Sequence, residues 1–254
     1  MTQGSRTSSN KAKRRFEDHK PAGKPMTLAP AHNAIVKGTT LFPGRIQTPI
    51  ELVSLFKSGV NSRKIGSHVT KGKWKGMPIY TLTLEERATC PTVCEHWFDC
   101  FGNKMHWSTR WKAGPELEKL IPEQISMLAK KHPKGFVVRL HVLGDFYSTR
   151  YVSIWHNLIA EYPQLHIFGY TRWRRESDAK GEWIAALNNI FADRFAIRFS
   201  EAGGEMGTVT LKDVTLRGKV PEGIVCPAQT GDADCCGSCG LCWNTTKPIV
   251  FLNH

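Results

Sequence analysis

The chain has 254 residues, 41% of them hydrophobic, and carries a formal charge of +13. This length suits one sizeable core, and no apolar run approaches the about 20 residues that a membrane-spanning helix needs. So large a positive charge favours polyanionic partners, nucleic acid first, without distinguishing DNA from RNA. Composition leaves the oligomeric state open.

The N-terminal residues 1–30 carry Ser, Lys, Gly and Pro with few large apolar groups, which predicts a disordered basic tail. The tail lacks the apolar stretch of a secretory signal, so we expect a cytoplasmic protein. In that compartment thiols stay reduced. The eight cysteines are therefore predicted to be metal ligands or catalytic groups and not disulfides.

Three segments have local signatures of structure. Residues 48–57 predict a short helix, with Thr48 as its cap and Pro49 at its first position. Residues 116–130 show helical apolar spacing, which Pro122 is predicted to break. Between them, Trp74 lies in a basic, Gly-punctuated loop. That loop is either a solvated turn or a phosphate-contacting loop whose aromatic ring stacks on a base.

A regular alternation of strands and helices dominates the rest of the chain. Strands are predicted at 78–84, 135–143, 165–170, 194–199 and 248–252, and helices at 148–162 and 181–192. Right-handed crossovers then give a parallel sheet. The predicted fold class is α/β: residues 31–220 form a catalytic domain built as a partial or open parallel (β/α) barrel. Residues 221–254 form a small Cys-rich metal-binding module.

Reactive or polar side chains follow four of these strands. They are Cys90 to Cys100, Gly144 with Asp145, Thr171 with Arg172, and Ser200 with Glu201. Because the carboxyl ends of parallel strands meet at one edge of the sheet, we expect one site there. Asp145 and Arg172 are its predicted catalytic residues, and Gly144, Asp145, Ser200 and Glu201 are predicted to bind a cofactor. Asp145 is alternatively the cap of the helix that begins near Ser148.

The cysteines fall into two groups. Cys90, Cys94 and Cys100 form a local set of three thiols. Three ligands leave one coordination position open, as a catalytic metal requires, unless His96 or His106 closes it.

The second group contains Cys236, Cys239 and Cys242 at successive two-residue gaps, with Cys226 as the predicted fourth ligand. Cys235 and His254 are alternatives for that fourth position. Four protein ligands predict a closed site that holds either zinc or an auxiliary [4Fe–4S] cluster, and the spacing does not decide between them.

Cysteines after a first strand, followed by a Gly-acid pair after a later strand, resemble the layout of radical S-adenosylmethionine enzymes. The resemblance implies that Cys90, Cys94 and Cys100 hold a [4Fe–4S] cluster that binds S-adenosylmethionine. Gly144 and Asp145 would then meet the ammonium of that cofactor. The C-terminal cysteines resemble the auxiliary-cluster modules of the same superfamily. The implied activity is radical modification of nucleic acid or of a nucleotide-linked substrate.

The Cys-Pro start at Cys90, the Gly-Asp-Phe-Tyr-Ser segment at Gly144 and the Thr-Arg strand end at Thr171 also resemble the "gene product 88"-like family. This resemblance covers roughly residues 81–243. It implies a bacterial or phage-encoded protein that works in the cytoplasm of a bacterial cell, and it carries no assigned reaction.

Two alternatives remain open. Asp145 with Cys236, Cys239, Cys242 and His254 resembles the nucleophile and zinc site of queuine-type transglycosylases, which implies zinc-dependent base exchange in DNA or RNA. The third possibility is a zinc-binding nucleic-acid adaptor without turnover.

Overall fold

The computed structural model describes residues 26–211 and 223–252. Within them the chain forms seven α-helices, three short 3₁₀ helices (Pro43–Arg45, Gly59–Asn61 and Phe101–Lys104) and ten strands. The helices are α1 (Asn33–Val36), α2 (Pro115–Lys131), α3 (Thr149–Glu161), α4 (Ala179–Ile190), α5 (Pro227–Thr230), α6 (Cys236–Cys239) and α7 (Leu241–Asn244). The strands are β1 (Ile46–Gln47), β2 (Lys57–Ser58), β3 (Ile79–Thr81), β4 (Arg110–Trp111), β5 (Phe136–Leu140), β6 (Leu165–Thr171), β7 (Phe195–Ser200), β8 (Gly207–Leu211), β9 (Ile224–Val225) and β10 (Ile249–Leu252).

Eight strands form one sheet in the order β2-β3-β5-β6-β7-β8-β10-β9. Only β2 runs antiparallel to its neighbour, and every other pair in this sheet is parallel. The predicted α/β class with a mostly parallel sheet is therefore confirmed. In the described ranges β2 and β9 lie at opposite edges, so closure into a barrel is not observed.

The two faces of the sheet are covered by different parts of the chain. Strand residues alternate between faces, so Phe136 and Val138 pack with the buried sides of α2, α3 and α4. Val137 points to the opposite face, where it joins a cluster that contains Phe168 and Trp243. The sequential strand order with right-handed crossovers explains why the three long helices share one face. The other face is left to the C-terminal segment.

The predicted boundary at residue 220 lies outside the described residues, as do most of the predicted N-terminal tail and His254. The segment after that boundary adds β9 and β10 to the main sheet. Its Cys226, Cys242 and Trp243 share a buried cluster with strand residues. No helix in the described part of the chain has both the length and the apolar character to cross a membrane.

The predicted helix at 48–57 is wrong, because this segment forms turns that lead into β2. The side-chain amide of Gln124 in α2 explains the difference. It accepts a hydrogen bond from the Leu55 backbone at 2.8 Å and donates one to the Val53 carbonyl at 2.8 Å. These backbone groups thereby gain partners without a helix, and Leu55 is fully buried.

The predicted break at Pro122 is also wrong, since α2 runs through it from Pro115 to Lys131. Proline removes one backbone hydrogen bond from a helix interior, at a cost of about 3 kcal/mol. Buried Leu117, Ile121 and Ile125 anchor the helix to the core on both sides of the proline. Burying each large side chain contributes about 1.5–3 kcal/mol, which is enough to keep the helix continuous.

Candidate functional site

One cavity of about 430 Å³ brings together every residue that the sequence predicts for the site. Its wall includes residues at or after the carboxyl ends of β3, β5, β6 and β7: Cys90, Cys94, Cys100, Gly144, Asp145, Thr171, Arg172, Ser200 and Glu201. It also includes Cys226, Cys236, Cys239 and Cys242 of the second cysteine group. The two groups, predicted as separate sites, thus face a common space. Cys235 is not part of the wall.

A buried polar network positions the first cysteine group. Arg87 donates to the carbonyl of Trp97 at 2.9 Å and to the side chain of Asn103 at 2.7 Å. Below them, the buried guanidinium of Arg110 lies 2.6 Å from a carboxylate oxygen of Glu86. The loop that carries Cys90, Cys94 and Cys100 has little regular secondary structure. These side-chain contacts hold both of its ends in place.

Burial dominates the electrostatics of these thiols. It raises the pKa of Cys94 to about 12 and the pKa of Cys90 well above its usual value, and the charge of Asp145 raises both further. Burial likewise raises the pKa of Cys100. The free thiols are therefore protonated near neutral pH. Metal binding would have to displace those protons, which makes it depend on pH.

Short helices and close backbone contacts hold the second cysteine group. The amides of Cys236 and Gly237 at the start of α6 donate to the carbonyls of Lys64 and Ile65 at 2.8 and 2.9 Å. A Cβ atom on Gly237 would lie 2.2 Å from the His68 carbonyl oxygen, so only glycine fits. In α7, Trp243 stacks on Trp74 with ring centroids 5.0 Å apart.

The contacts of Trp74 exclude both roles predicted for it, a place in a solvated turn and a ring that stacks on a base. The ring is buried, with 1% of its surface exposed, and its N–H donates to the Asp193 carbonyl at 2.7 Å. It is neither part of a solvated turn nor free to stack on a base. It anchors the Cys-rich segment to the sheet.

No group of three or more Cys, His, Asp or Glu side chains in the described residues converges on a point that would hold a single metal ion. Of the two histidines considered for the first group, His96 lines this cavity and His106 does not. His96 lies 3.0 Å from an Asp99 oxygen and 3.8 Å from a Glu201 oxygen. His106 packs edge-on against Phe42 with ring centroids 5.3 Å apart.

Asp145 ties the end of β5 to the end of β6. One carboxylate oxygen accepts from the Phe146 amide at 2.7 Å and the Thr171 hydroxyl at 2.8 Å, and the other accepts from the Arg172 amide at 2.7 Å. Burial raises the pKa of Asp145 to about 6, although these donors lower it. The alternative role as a helix cap is wrong, because Ser148 caps α3.

Arg172 in the cavity wall has a guanidinium group that is only partly hydrogen-bonded. Two of its nitrogens pair with both oxygens of Glu95. Burial opposes ionisation of Glu95, but the hydrogen bond and charge of Arg172 hold the pKa of Glu95 below its usual value. The remaining nitrogen, Nη1, is buried and has no hydrogen-bond partner among the described residues. A bound carboxylate or phosphate oxygen would satisfy it.

Sequence reasoning missed two further residues of the wall, Arg139 and Tyr170. The Arg139 guanidinium lies 4.5 Å from the Tyr170 ring centroid, and the Tyr170 hydroxyl is 2.9 Å from the sulfur of Cys242. Burial lowers the pKa of Arg139, while nearby Tyr170, Cys236 and Cys242 raise it. The signal was present, because Arg139 interrupts an otherwise apolar buried strand.

A family model described as "Gene product 88" matches residues 54–245. The chain belongs to this family. It is 27% identical over 153 residues to the "Gene 88 protein" of Mycobacterium phage L5, which covers 52% of this chain and 62% of that protein. It is 29% identical over 138 residues to the "Gene 88 protein" of Mycobacterium phage D29, covering 48% and 56%. The match thus spans less than two thirds of either phage protein. No solved structure matches the chain.

Proposed function

We propose that this Gene product 88 family member is an iron–sulfur enzyme of the radical S-adenosylmethionine type that acts on nucleic acid or a nucleotide-linked substrate. One observation carries the proposal. The seven cysteines predicted to bind metal line a single cavity at the carboxyl ends of parallel strands, whereas Cys235 does not.

The order of the elements supports the same proposal. The first cysteine group follows β3, the first parallel strand, and Gly144 with Asp145 follows β5, its neighbour in the sheet. The parallel strands β5, β6 and β7 then continue in sequence, with the three long helices on one face of the sheet. Radical S-adenosylmethionine enzymes have the same order of a cysteine group after one parallel strand and a Gly-acid pair after a later one.

Within the proposal, Cys90, Cys94 and Cys100 hold a [4Fe–4S] cluster with one iron open to a ligand. When bound, the cluster and S-adenosylmethionine would supply one-electron cleavage of the sulfonium and hydrogen abstraction from the substrate. The unsatisfied Nη1 of Arg172 suits the carboxylate of that cofactor. Asp145, Ser200 and Glu201 line the wall that would face its cationic and polar groups.

Gly144 allows the tight turn that places Asp145 in the cavity wall. Its φ of +85° is a conformation that favours glycine, and a Cβ atom there would lie 2.5 Å from the Thr89 hydroxyl oxygen and 2.7 Å from Leu84. A larger residue would disturb the turn that carries Asp145 into the wall.

Cys226, Cys236, Cys239 and Cys242 would hold an auxiliary cluster or a zinc ion. An iron–sulfur cluster suits thiols spread around a cavity wall, because each thiolate binds a different iron. A zinc ion needs all four sulfurs about 2.3 Å from one point. The base-exchange alternative is less favoured, because its nucleophile, Asp145, already accepts three hydrogen bonds. A zinc adaptor without turnover would not need the open site at the first group.

The test is metal analysis and S-adenosylmethionine cleavage with anaerobically purified full-length protein. We expect about four iron and four sulfide per occupied group, and reductant-dependent cleavage of the cofactor. Cys94→Ala should abolish cleavage. Cys235→Ala, next to the second group but outside the cavity wall, is the matched control and should retain it. Protein that contains zinc alone, or equal loss of cleavage in both variants, would overturn the proposal.

A further inference from the structure

A second cavity, of about 410 Å³, adjoins the thiol-lined one. It opens between β2 and the segment around β4, and its wall shares Ser62, Met105 and Val142 with the first cavity. A ligand that enters the second cavity would therefore lie next to the cysteine site. The residues that line the second cavity therefore indicate which class of substrate reaches the cysteine site.

The second cavity has the wall chemistry of an anion site. Its charged residues are Lys57 and Lys104, with His106 beside them, and no Asp or Glu of residues 26–211 and 223–252 lines it. Its polar neutral groups are mainly hydroxyls, contributed by Ser62, Thr81, Thr83, Ser108 and Thr109, with the amide of Asn61. Lys57 is exposed and forms no ion pair with a carboxylate of the described residues. The thiol-lined cavity, by contrast, contains four carboxylates.

The rim of this cavity carries an exposed aromatic ring. Trp107 keeps 81% of its surface exposed, whereas the other seven tryptophans, all in the described ranges, are buried or half-buried. The Arg45 guanidinium lies 4.8 Å from the centroid of the Trp107 ring. An exposed tryptophan beside cations offers a surface on which a nucleobase stacks while its phosphate meets positive charge.

We propose that this second cavity docks single-stranded nucleic acid, with one base stacked on Trp107 and the backbone phosphates near Arg45 and Lys57. An unpaired strand is required, because a base within a duplex does not expose its face for stacking. A base of the same strand next to the docked one would then reach the thiol-lined cavity. The inference deepens the proposed function, since it names the substrate class of that site.

The test is binding of a short labelled single-stranded oligonucleotide to the full-length protein by fluorescence polarisation at several salt concentrations. Trp107→Ala should weaken binding about tenfold, and Trp107→Phe should retain most of the affinity. Lys57→Gln should weaken binding several-fold and make it less sensitive to salt by about one counterion. Lys130→Gln, an exposed lysine on α2, is the charge-matched control and should bind like the wild type.

Affinity that is unchanged in Trp107→Ala, or lost equally in Lys57→Gln and Lys130→Gln, would overturn the docking proposal. So would equal affinity for duplex, for a free mononucleotide or for heparin, a polyanion without bases. Binding requires no cluster, so the two proposals fail separately. Trp107-dependent binding by protein without iron refutes only the proposed chemistry. Iron-loaded protein without such binding refutes only the docking site.

Discussion

The two cysteine groups face one cavity but differ in what surrounds them. Cys90, Cys94 and Cys100 lie on a loop near Asp145, whose charge adds to burial in raising the pKa of Cys90 and Cys94. In the second group, burial raises the pKa of Cys226 to about 11 and of Cys236 further, while the charge of Lys64 lowers both. Carboxylates act on the first group together with the cations Arg87, Arg110 and Arg172, whereas the charged side chains that act on the second group are all Lys or Arg.

This difference indicates a division of roles. Metal thiolate centres carry net negative charge, so cations beside the second group would stabilise a permanently bound centre without further ligands. The negative charge of Asp145 beside the first group would attract a cationic ligand, such as a sulfonium.

The largest effect should come from removing one thiol in each group. Cys242→Ser should lower the melting temperature by roughly 10 °C, because loss of a structural centre removes its folding free energy. Cys94→Ser should abolish cofactor cleavage but change the melting temperature by less than about 3 °C. Differential scanning fluorimetry under anaerobic conditions measures both. Equal destabilisation by the two variants would contradict the division of roles.

The next effect concerns the backbone that supports the second group. Gly237→Ala places a methyl group against the His68 carbonyl and should destabilise the protein by about 1–3 kcal/mol. Gly203→Ala is the matched control, because nothing lies within 4 Å of its added Cβ atom. Urea unfolding of both variants gives the free energies. Similar values would show that the Cys-rich segment is not held by this close approach.

A moderate effect is expected from replacing Arg172, which lines the cavity together with the first cysteine group. Arg172→Lys removes both the paired contact with Glu95 and the free Nη1 donor, so we expect KM for S-adenosylmethionine to rise about tenfold with a smaller change in kcat. Arg174→Lys is the control, since that side chain is 48% exposed and lies 3.6 Å from Glu95. Steady-state kinetics on both variants tests this, and equal changes in KM would count against a ligand at Nη1.

The smallest effect should come from removing the Tyr170 hydroxyl, which contacts Cys242 of the second cysteine group. Tyr170→Phe removes the contact of 2.9 Å with the Cys242 sulfur and leaves the packing of the ring in place. A single hydrogen bond contributes about 1 kcal/mol, so stability should fall by about that amount while metal content stays at the wild-type level. Metal analysis together with thermal unfolding checks this. Loss of metal would mean that the hydroxyl is needed to retain the centre.

Much of the fold was predictable from local pattern. The β5-α3-β6-α4-β7 alternation and β10 were predicted within a few residues, because apolar periodicity reports directly which side of an element is buried. The strand-end positions of Asp145, Arg172 and Glu201 followed, since parallel strands end at a common edge. The short strands β1, β2, β4 and β9 left no such pattern, because two residues define no period.

The amino-acid sequence by itself predicted which residues would line the site: thiols in two spaced groups, a Gly-acid pair and a Thr-Arg pair at strand ends. Only the tertiary structure decided that the two thiol groups share one cavity and that Trp74 stacks on Trp243. It also decided that the side chain of Gln124 hydrogen-bonds the backbone of residues 48–57, which form turns and not a helix. The physical reason is the separation along the chain of the residues that make each contact. Spacing along the chain encodes contacts between neighbours in one element, whereas contacts between distant segments depend on how all the elements pack together.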